Sequence, residues 1–402
     1  MMRLRVHGGR WLAALCAGCS VAACVAEDRV DLQPRDGSAP GGASGAGTGG
    51  WGAGGTGGQP SPPRRCDINP GACAQPPPPP AAPAARGTRE TVFAVRKLFL
   101  GGTDRAGVPS TSAWKQYGFN LDWLSSKKTD SNHCQPVAGT YPATVKTDGE
   151  GGIDNSFGAN LLPLGASLEP RLQDRVNREL EAGRYTLLFR LTNLEDPAWA
   201  QTGVNALVYR GADLGRAPAW DGTDPWPVTA DSVAGGDLGR PLAAFPESYV
   251  TGSTWVVVGV PLELRIDGGA MDPDGGALED RRMPWTLPLA QVAITMELEG
   301  TGTELRAARG VIGGFVETER LVEAMRRPLE EFDPALCEPE TMASLVELLR
   351  SASDIMADGT NGDPTKTCDA ISVGLGFEAG VVRLGEVAPP EPRSDPCLGG
   401  GG

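Results

Sequence analysis

An antiparallel β-sandwich of jelly-roll or lectin-like type, mainly β with helices packed at one side, is the fold this sequence predicts. Three observations carry it. VPLELRID (260–267) places Val260, Leu262, Leu264 and Ile266 on one face and Glu263, Arg265 and Asp267 on the other. QVAITMELE (291–299) repeats the pattern, with Val292, Ile294, Met296 and Leu298 against Thr295, Glu297 and Glu299. Alternation of this kind means sheets with one wet face, which favours antiparallel pairing. The third observation is order: strands come in runs interrupted by three helical stretches, rather than alternating with helices as in a parallel α/β fold.

Taken in order, the chain opens with Arg3, Arg5 and Arg10 and no acid, followed by the short apolar run WLAALCAGCSVAA (11–23). This is the layout of a signal peptide over residues 1–23, well short of the ~20 predominantly apolar residues that span a bilayer. Val21, Ala22 and Ala23 then lead into Cys24, and VAAC resembles the lipobox of bacterial lipoproteins. The resemblance implies cleavage before Cys24 and a fatty acyl anchor on its sulfur, with the membrane as a partner through the lipid. In that class an Asp after the cysteine marks retention in the inner membrane. Val25 stands there, so the resemblance favours an exported protein at the outer membrane or cell surface.

Residues 24–88 are dominated by Gly, Ser, Pro and Ala, as in GGASGAGTGGWGAGGTGG and QPPPPPAAPAA. Such a stretch buries too little apolar surface to offset its ordering entropy and predicts a disordered stalk. Residues 89–390 have the composition of a folded domain, and 391–402 return to a coil-like tail. Besides the two strands above, the domain predicts strands at TVFAVRKLFL (91–100), RYTLLFRLTNL (184–194), NALVYRG (205–211), STWVVVG (253–259) and ISVGLGFEAG (371–380). One helix is predicted between a Ser167 cap and a Gly183 stop, with Leu168, Leu172, Val176 and Leu180 on its stripe. Thr318 caps ERLVEAMRRPL. A third helix starts near Pro339 and runs to Gly359, its stripe being Met342, Leu345, Leu349, Ala352 and Ile355.

Composition narrows the function. The chain carries a formal charge of −14, and loses three arginines with the signal, so it would repel a polyanion; nucleic acid is not an expected partner. Six cysteines follow Cys24, namely Cys66, Cys73, Cys134, Cys337, Cys368 and Cys397, and in an exported chain they read as disulfides. The short loop CDINPGAC suggests Cys66 with Cys73, and only a helix and a loop separate Cys337 from Cys368. Cys134 and Cys397 would then pair or stay free. Structural zinc would need CxxC spacing near histidines, which is missing among these six.

No catalytic residue is assigned. Only His7 and His133 exist, no HExxH or GxSxG occurs, and His133 reads as a solvated loop residue beside a disulfide. Ser112 with Lys115, and Ser125 with Lys128, match SxxK but lack the companion SDN and KTG elements. Glu297 and Glu299 share a strand face, yet lack the ExDxxE pattern of jelly-roll glucanases and read as its wet side. No GxGxxG stands between a predicted strand and a helix, and no GKS/GKT motif appears.

TDGEGGIDNSFGAN (147–160) sets Asp148, Glu150 and Asp154 among glycines, a candidate structural Ca2+ site and the one cofactor the sequence suggests. Ile153 and Ala159 stand where an EF-hand needs Gly and Glu, so it is not an EF-hand. The competing reading is that these letters make turns, as also at Asp272 and Asp274 and at Asp358 and Asp363. Seven tryptophans fall between Trp114 and Trp285. Trp255 reads as core, whereas Trp220 and Trp226, in the irregular APAWDGTDPWPV, are candidates to stack on a glycan.

KLFLGGTDRAGVPSTSAWKQYGFNLD, GIDNSFGANLLP and TCDAISVGLGFEAG resemble segments of uncharacterised exported lipoproteins of myxobacterial type. The resemblance implies a shared exported domain and brings no activity. The leading expectation is a lipid-anchored envelope protein displaying a non-catalytic domain, with a glycan as its ligand. The alternatives are a polysaccharide hydrolase with paired carboxylates and a structural envelope component.

Overall fold

One sheet closes on itself. In the computed structural model its strands are β1 (Arg89–Phe99), β2 (Thr186–Leu194), β3 (Ala200–Gly211), β4 (Pro225–Val228), β5 (Ala243–Thr251), β6 (Thr254–Asp267), β7 (Pro284–Glu299), β8 (Arg306–Glu317) and β9 (Ala370–Val387). The structure describes residues 73–81, 87–127, 133–137, 147–168, 171–195, 198–241, 243–268, 284–332, 334–358 and 363–390. All belong to the unit Ser61–Gly402.

The expected jelly-roll or lectin-like sandwich is corrected to a closed barrel. Eight strands, β1–β2–β3–β5–β6–β7–β8–β9, pair with their neighbours in antiparallel fashion, and β9 returns to β1 from Val92↔Val382 to Phe99↔Gly376. β4 stands outside this ring, parallel to the end of β9 and touching β3 at Gly211↔Val228. Mainly β remains right. Alternation alone does not separate two stacked sheets from one closed sheet, because both have one apolar and one wet face. Closure was hidden by two unread strands. β5 carries Pro246 among polar residues, and β8 carries Gly310, Gly313 and Gly314.

Eight strands leave an interior that side chains can fill. Phe93, Phe189, Phe245, Trp255 and Phe377 fill it, with Leu264, Leu289, Ile294 and Met296 between them. The Phe189 ring lies 5.7 Å from Trp255 and 5.6 Å from Phe377. The Trp255 Nε1–H donates to Ser248 Oγ at 2.8 Å, and that hydroxyl donates to Val204 O at 2.8 Å, so the polar atoms enclosed with the rings are satisfied. The outward faces carry charge instead: Arg96 with Glu378, Arg190 with Glu90, Arg309 with Glu297 and Arg306 with Glu299. A bilayer-spanning barrel has the reverse, an apolar outer band.

Among the described residues four α-helices accompany the barrel: α1 (Leu162–Leu168), α2 (Leu172–Glu181), α3 (Thr318–Phe332) and α4 (Pro339–Arg350). None is long and apolar enough to cross a membrane. The first two lie in the β1–β2 insert and the last two between β8 and β9, so both pairs leave the barrel at one end. α2 starts later than expected, after Arg171, but Val176 and Leu180 enter the core and Gly183 follows at φ 76°. Its Gln173 and Asn177 accept from the Leu100 and Leu98 N–H groups at 2.7 and 2.8 Å, extending the ladder of β1 with side-chain amides. α4 starts at Pro339 as expected and stops at Arg350. Ala352 and Ile355 are buried, but in a segment that bridges to Ala370 rather than on a helical stripe.

Residues 73–77, expected in the stalk, touch the body. Ala74 N donates to Gly151 O at 3.0 Å, Asn120 N to Ala74 O at 2.8 Å, and the Tyr249 hydroxyl to Pro77 O at 2.5 Å. The signal region, Cys24 and residues 25–72 lie outside the described residues, as does the tail 391–402.

Candidate functional site

The β1–β2 insert folds back over the outer face of β8 and β9, and its polar residues make a seam there. Glycine makes the approach possible: a Cβ at Gly374 would overlap the Tyr117 carbonyl, and one at Gly313 would crowd the Phe119 ring. Asn155 is the hub. Its Oδ1 accepts from Gly158 N at 2.9 Å and Gly374 N at 3.0 Å, while Nδ2 donates to Tyr117 O at 3.0 Å and Gly374 O at 2.9 Å. Ser372 Oγ, one pleat earlier on the same face, accepts from Ser156 N at 2.8 Å.

Two carboxyl groups flank this hub. Buried Asp154 accepts from Leu121 N at 2.6 Å and Asp122 N at 3.3 Å. Asp354, four residues past α4, accepts from Ser372 N at 2.8 Å and the Ser372 hydroxyl at 2.5 Å. Burial, and then the charges of Asp122, Asp148 and Asp354, hold Asp154 well above the usual carboxylate range. Burial also pushes Asp354 up to about 7, against the pull of the Ser372 hydrogen bonds. Beside them Cys134 is bonded to Cys368, with Cys134 Sγ 3.5 Å from Asp354 O. The seam therefore gathers the three stretches that carried the lipoprotein resemblance.

Sequence reasoning missed Asn155, Ser372 and Asp354. The usable signal was the glycine spacing of SVGLG (372–376), which marks a strand face that another backbone approaches.

Asp148, Glu150 and Asp154 do not converge as calcium ligands here. The turn Glu150–Gly152, with Gly151 at φ 63°, leaves Glu150 exposed and accepting from Gln116 Nε2 at 3.1 Å, and sends Asp154 inward. The Asp148 carboxylate accepts from Ser126 N. Among the described residues no three His, Cys, Asp or Glu side chains are grouped to hold a metal ion. Asp363 accepts from the Thr365 N–H and hydroxyl, as a turn residue does, and Asp358 pairs with Lys366 at 3.0 Å. Asp272 and Asp274 lie outside the described residues.

The tryptophan pair divides. Trp226 is fully enclosed between β4 and the outer face of the barrel, its Nε1–H donating to Ala212 O at 2.8 Å, so it offers no face to a sugar. That corrects its place as a glycan-stacking residue; only the end of the proline-rich stretch, PWPV, forms a strand, β4, and it carries Trp226 inward. The Trp220 ring lies 5.7 Å from that of Trp226, tilted by 42°, and stays part-exposed above Gly380. Its backbone is left-handed, φ 57°, held by Asp224 Oδ2 accepting from Ala219 N and Trp220 N at 2.9 and 3.0 Å. Buried Asp224 pairs in turn with Arg216 at 2.6 Å. The most open aromatic among the described residues is Trp199, 67% exposed at the entry to β3.

The remaining expectations fall as follows. His133 is buried, not solvated, with Nδ1 2.9 Å from Cys134 O, because the disulfide draws its segment into the body. Cys368 pairs with Cys134, not with Cys337. Cys73 and Cys337 are also disulfide-bonded, while Cys66 and Cys397 lie outside the described residues. Ser112 bonds Ser110, and Lys115 sits 5.6 Å over the Trp114 ring, so no lysine activates this serine; Lys128 lies outside the described residues. Glu297 and Glu299 are held by Arg309 and Arg306 at 2.8 and 2.9 Å on the barrel exterior. A groove of about 360 Å³ between α3 and α4 is lined by Leu336, Met342 and Val346 with Arg326 and Arg350, the last already committed to Glu319 and Glu347. Comparison with models of known protein families, with curated proteins and with solved structures finds no match.

Proposed function

We propose that this chain is an exported lipoprotein, anchored through Cys24, that displays a rigid non-catalytic barrel at the cell envelope and binds a glycan beside Trp220. The observation that carries the non-catalytic reading is where the reactive groups lie. The barrel interior is filled with aromatic and aliphatic side chains, Asp154 and Asp354 face a protein seam, and Glu297 and Glu299 are neutralised by arginines. A hydrolase needs two carboxyl groups facing one substrate-sized gap. Export is supported by the Cys134–Cys368 disulfide, which joins residues 234 apart and suits an oxidising compartment. Trp220 supports the glycan reading: a part-exposed ring held in a left-handed conformation, next to exposed Arg216 and Asp221, which can bond sugar hydroxyls.

Radiolabelled palmitate should enter the wild-type chain and not Cys24→Ala, and an unlabelled wild type removes the anchor. Immobilised peptidoglycan and outer-membrane polysaccharide should retain the wild type and release Trp220→Ala at an unchanged melting temperature. Equal retention of both removes the glycan site, and liberated reducing ends would establish the hydrolase instead.

A further inference from the structure

We propose that Asp354 makes the seam between the β1–β2 insert and β9 a proton-operated latch, closed while its carboxyl keeps a proton and loosened once it ionises. The geometry supplies the latch. Asp354 belongs to the segment after α4, Ser372 to β9 and Ser156 to the insert, and one chain of hydrogen bonds runs through all three, from Ser156 N to Ser372 Oγ and from that hydroxyl to Asp354. The Ser156 hydroxyl returns to Ala352 O at 2.5 Å, on the segment that holds Asp354, so opening the seam at one point unfastens it at the other.

The charges facing this carboxyl are acids. From the insert come Asp122 and Asp154, the latter with Asp148 acting on it in turn. Asp122 acts on Asp354 directly, and Asp154 is pushed by all three of its acidic neighbours, Asp354 included. From β9 comes only the neutral Ser372, and from the disulfide segment Cys134, with His133 bonded to its carbonyl. Asp369, just before β9, is occupied by Ala357 N at 2.8 Å. Loss of the Asp354 proton to solvent therefore adds a negative charge to a part-buried face already lined with carboxyls, and the repulsion acts across the seam. The value near 7 puts this event within the range an envelope protein meets outside the cell.

Hydrogen exchange on the full chain, read by mass spectrometry and corrected for the intrinsic pH dependence, tests this. Peptides covering 117–127, 150–160 and 352–357 should lose about tenfold or more in protection between about pH 5 and pH 9, while β6 and β7 keep theirs. In Asp354→Asn, which carries no charge at either pH, the seam should stay protected throughout, and Asp154→Asn should move the loss of the Asp354 proton to lower pH by removing a repelling neighbour. Equal wild-type protection at both ends of the range overturns the latch, as does the same loss in Asp354→Asn. A wild-type measurement keeps the test decisive if the variants do not fold: the infrared band of the protonated carboxyl must disappear at the pH at which the seam opens, and separate midpoints overturn the assignment.

Discussion

Asn155 and Gly374, 219 residues apart in the chain, exchange two hydrogen bonds, Gly374 N–H to Oδ1 at 3.0 Å and Nδ2–H to the Gly374 carbonyl at 2.9 Å. A side-chain amide thereby takes the place of a strand's peptide unit on the outer edge of β9, and does so where a Cβ at position 374 would strike the Tyr117 carbonyl. One residue fastens the insert to the barrel wall.

Removing that amide should be costly. Asn155→Ala leaves Gly374 N–H, Gly158 N–H and the carbonyls of Trp114, Tyr117 and Gly374 without this partner, and each orphaned buried group costs about 1–3 kcal/mol. A loss of about 3 kcal/mol or more is expected, read as a lower guanidinium midpoint at unchanged slope. Asn155→Asp, which keeps both accepting contacts, should lose less. Equal losses in the two variants would mean that the accepting contacts carry nothing.

Stability should also fall as pH rises through the acid to neutral range. The unfolded Asp354 ionises near its ordinary value of 3.8, whereas the folded one keeps its proton to about 7. The folded state therefore binds protons more tightly, and its advantage, fully present below the ordinary value, is lost between about pH 4 and pH 7. At about 1.4 kcal/mol per unit the ceiling is about 4 kcal/mol, and partial exposure of the carboxyl reduces it. Denaturation midpoints across that window should decline in the wild type and flatten in Asp354→Asn.

These two groups also mark what could be read in advance. β6 and β7 were legible because a surface strand repeats apolar and polar letters, and Val260 to Ile266 and Val292 to Leu298 do so without a break. β8 was not, because Gly310 makes room for the Phe377 ring and Gly313 for Phe119, which erases the alternation just where packing is closest. Without β5 and β8 the ring lacks two of its members, and a sandwich was the natural reading. Asp154 stands out in the sequence for its glycine neighbours, yet its partners, Leu121 and Asp122, lie in a segment that nothing local connects to it. Asn155 stood beside it with no periodic signature, and a hub of this kind shows only once the insert is folded onto β9.

The Cys134–Cys368 bridge should contribute to stability in proportion to what it constrains. It ties the short segment around His133 to the start of β9, alongside the Gln135↔Thr367 bridge. Cys134→Ala with Cys368→Ala is expected to cost about 2–5 kcal/mol, the usual range for a native disulfide. Thiol alkylation of the native wild type should leave both cysteines unmodified until a reductant is added. Ready alkylation before reduction would contradict the pairing.

Trp220 and Trp226 touch each other and should nonetheless behave differently. Trp226 closes the small outer core formed with Val92, Ala94, Leu188, Tyr209, Val228 and Val382, so Trp226→Ala opens a cavity and should cost about 3–5 kcal/mol. Trp220 covers that ring from the outside and keeps part of its surface in solvent, so Trp220→Ala loses only the tilted ring contact and a fraction of the burial, about 1 kcal/mol. Its left-handed backbone adds a second handle. Trp220→Gly removes the same ring while relieving the conformation at φ 57°, and should be the more stable of the two Trp220 variants. Thermal melts of the three variants give the order directly: Trp226→Ala lowest, then Trp220→Ala, then Trp220→Gly. If Trp220→Ala instead falls as far as Trp226→Ala, the outer ring is as much a part of the core as the inner one, and the surface left for a sugar disappears with it.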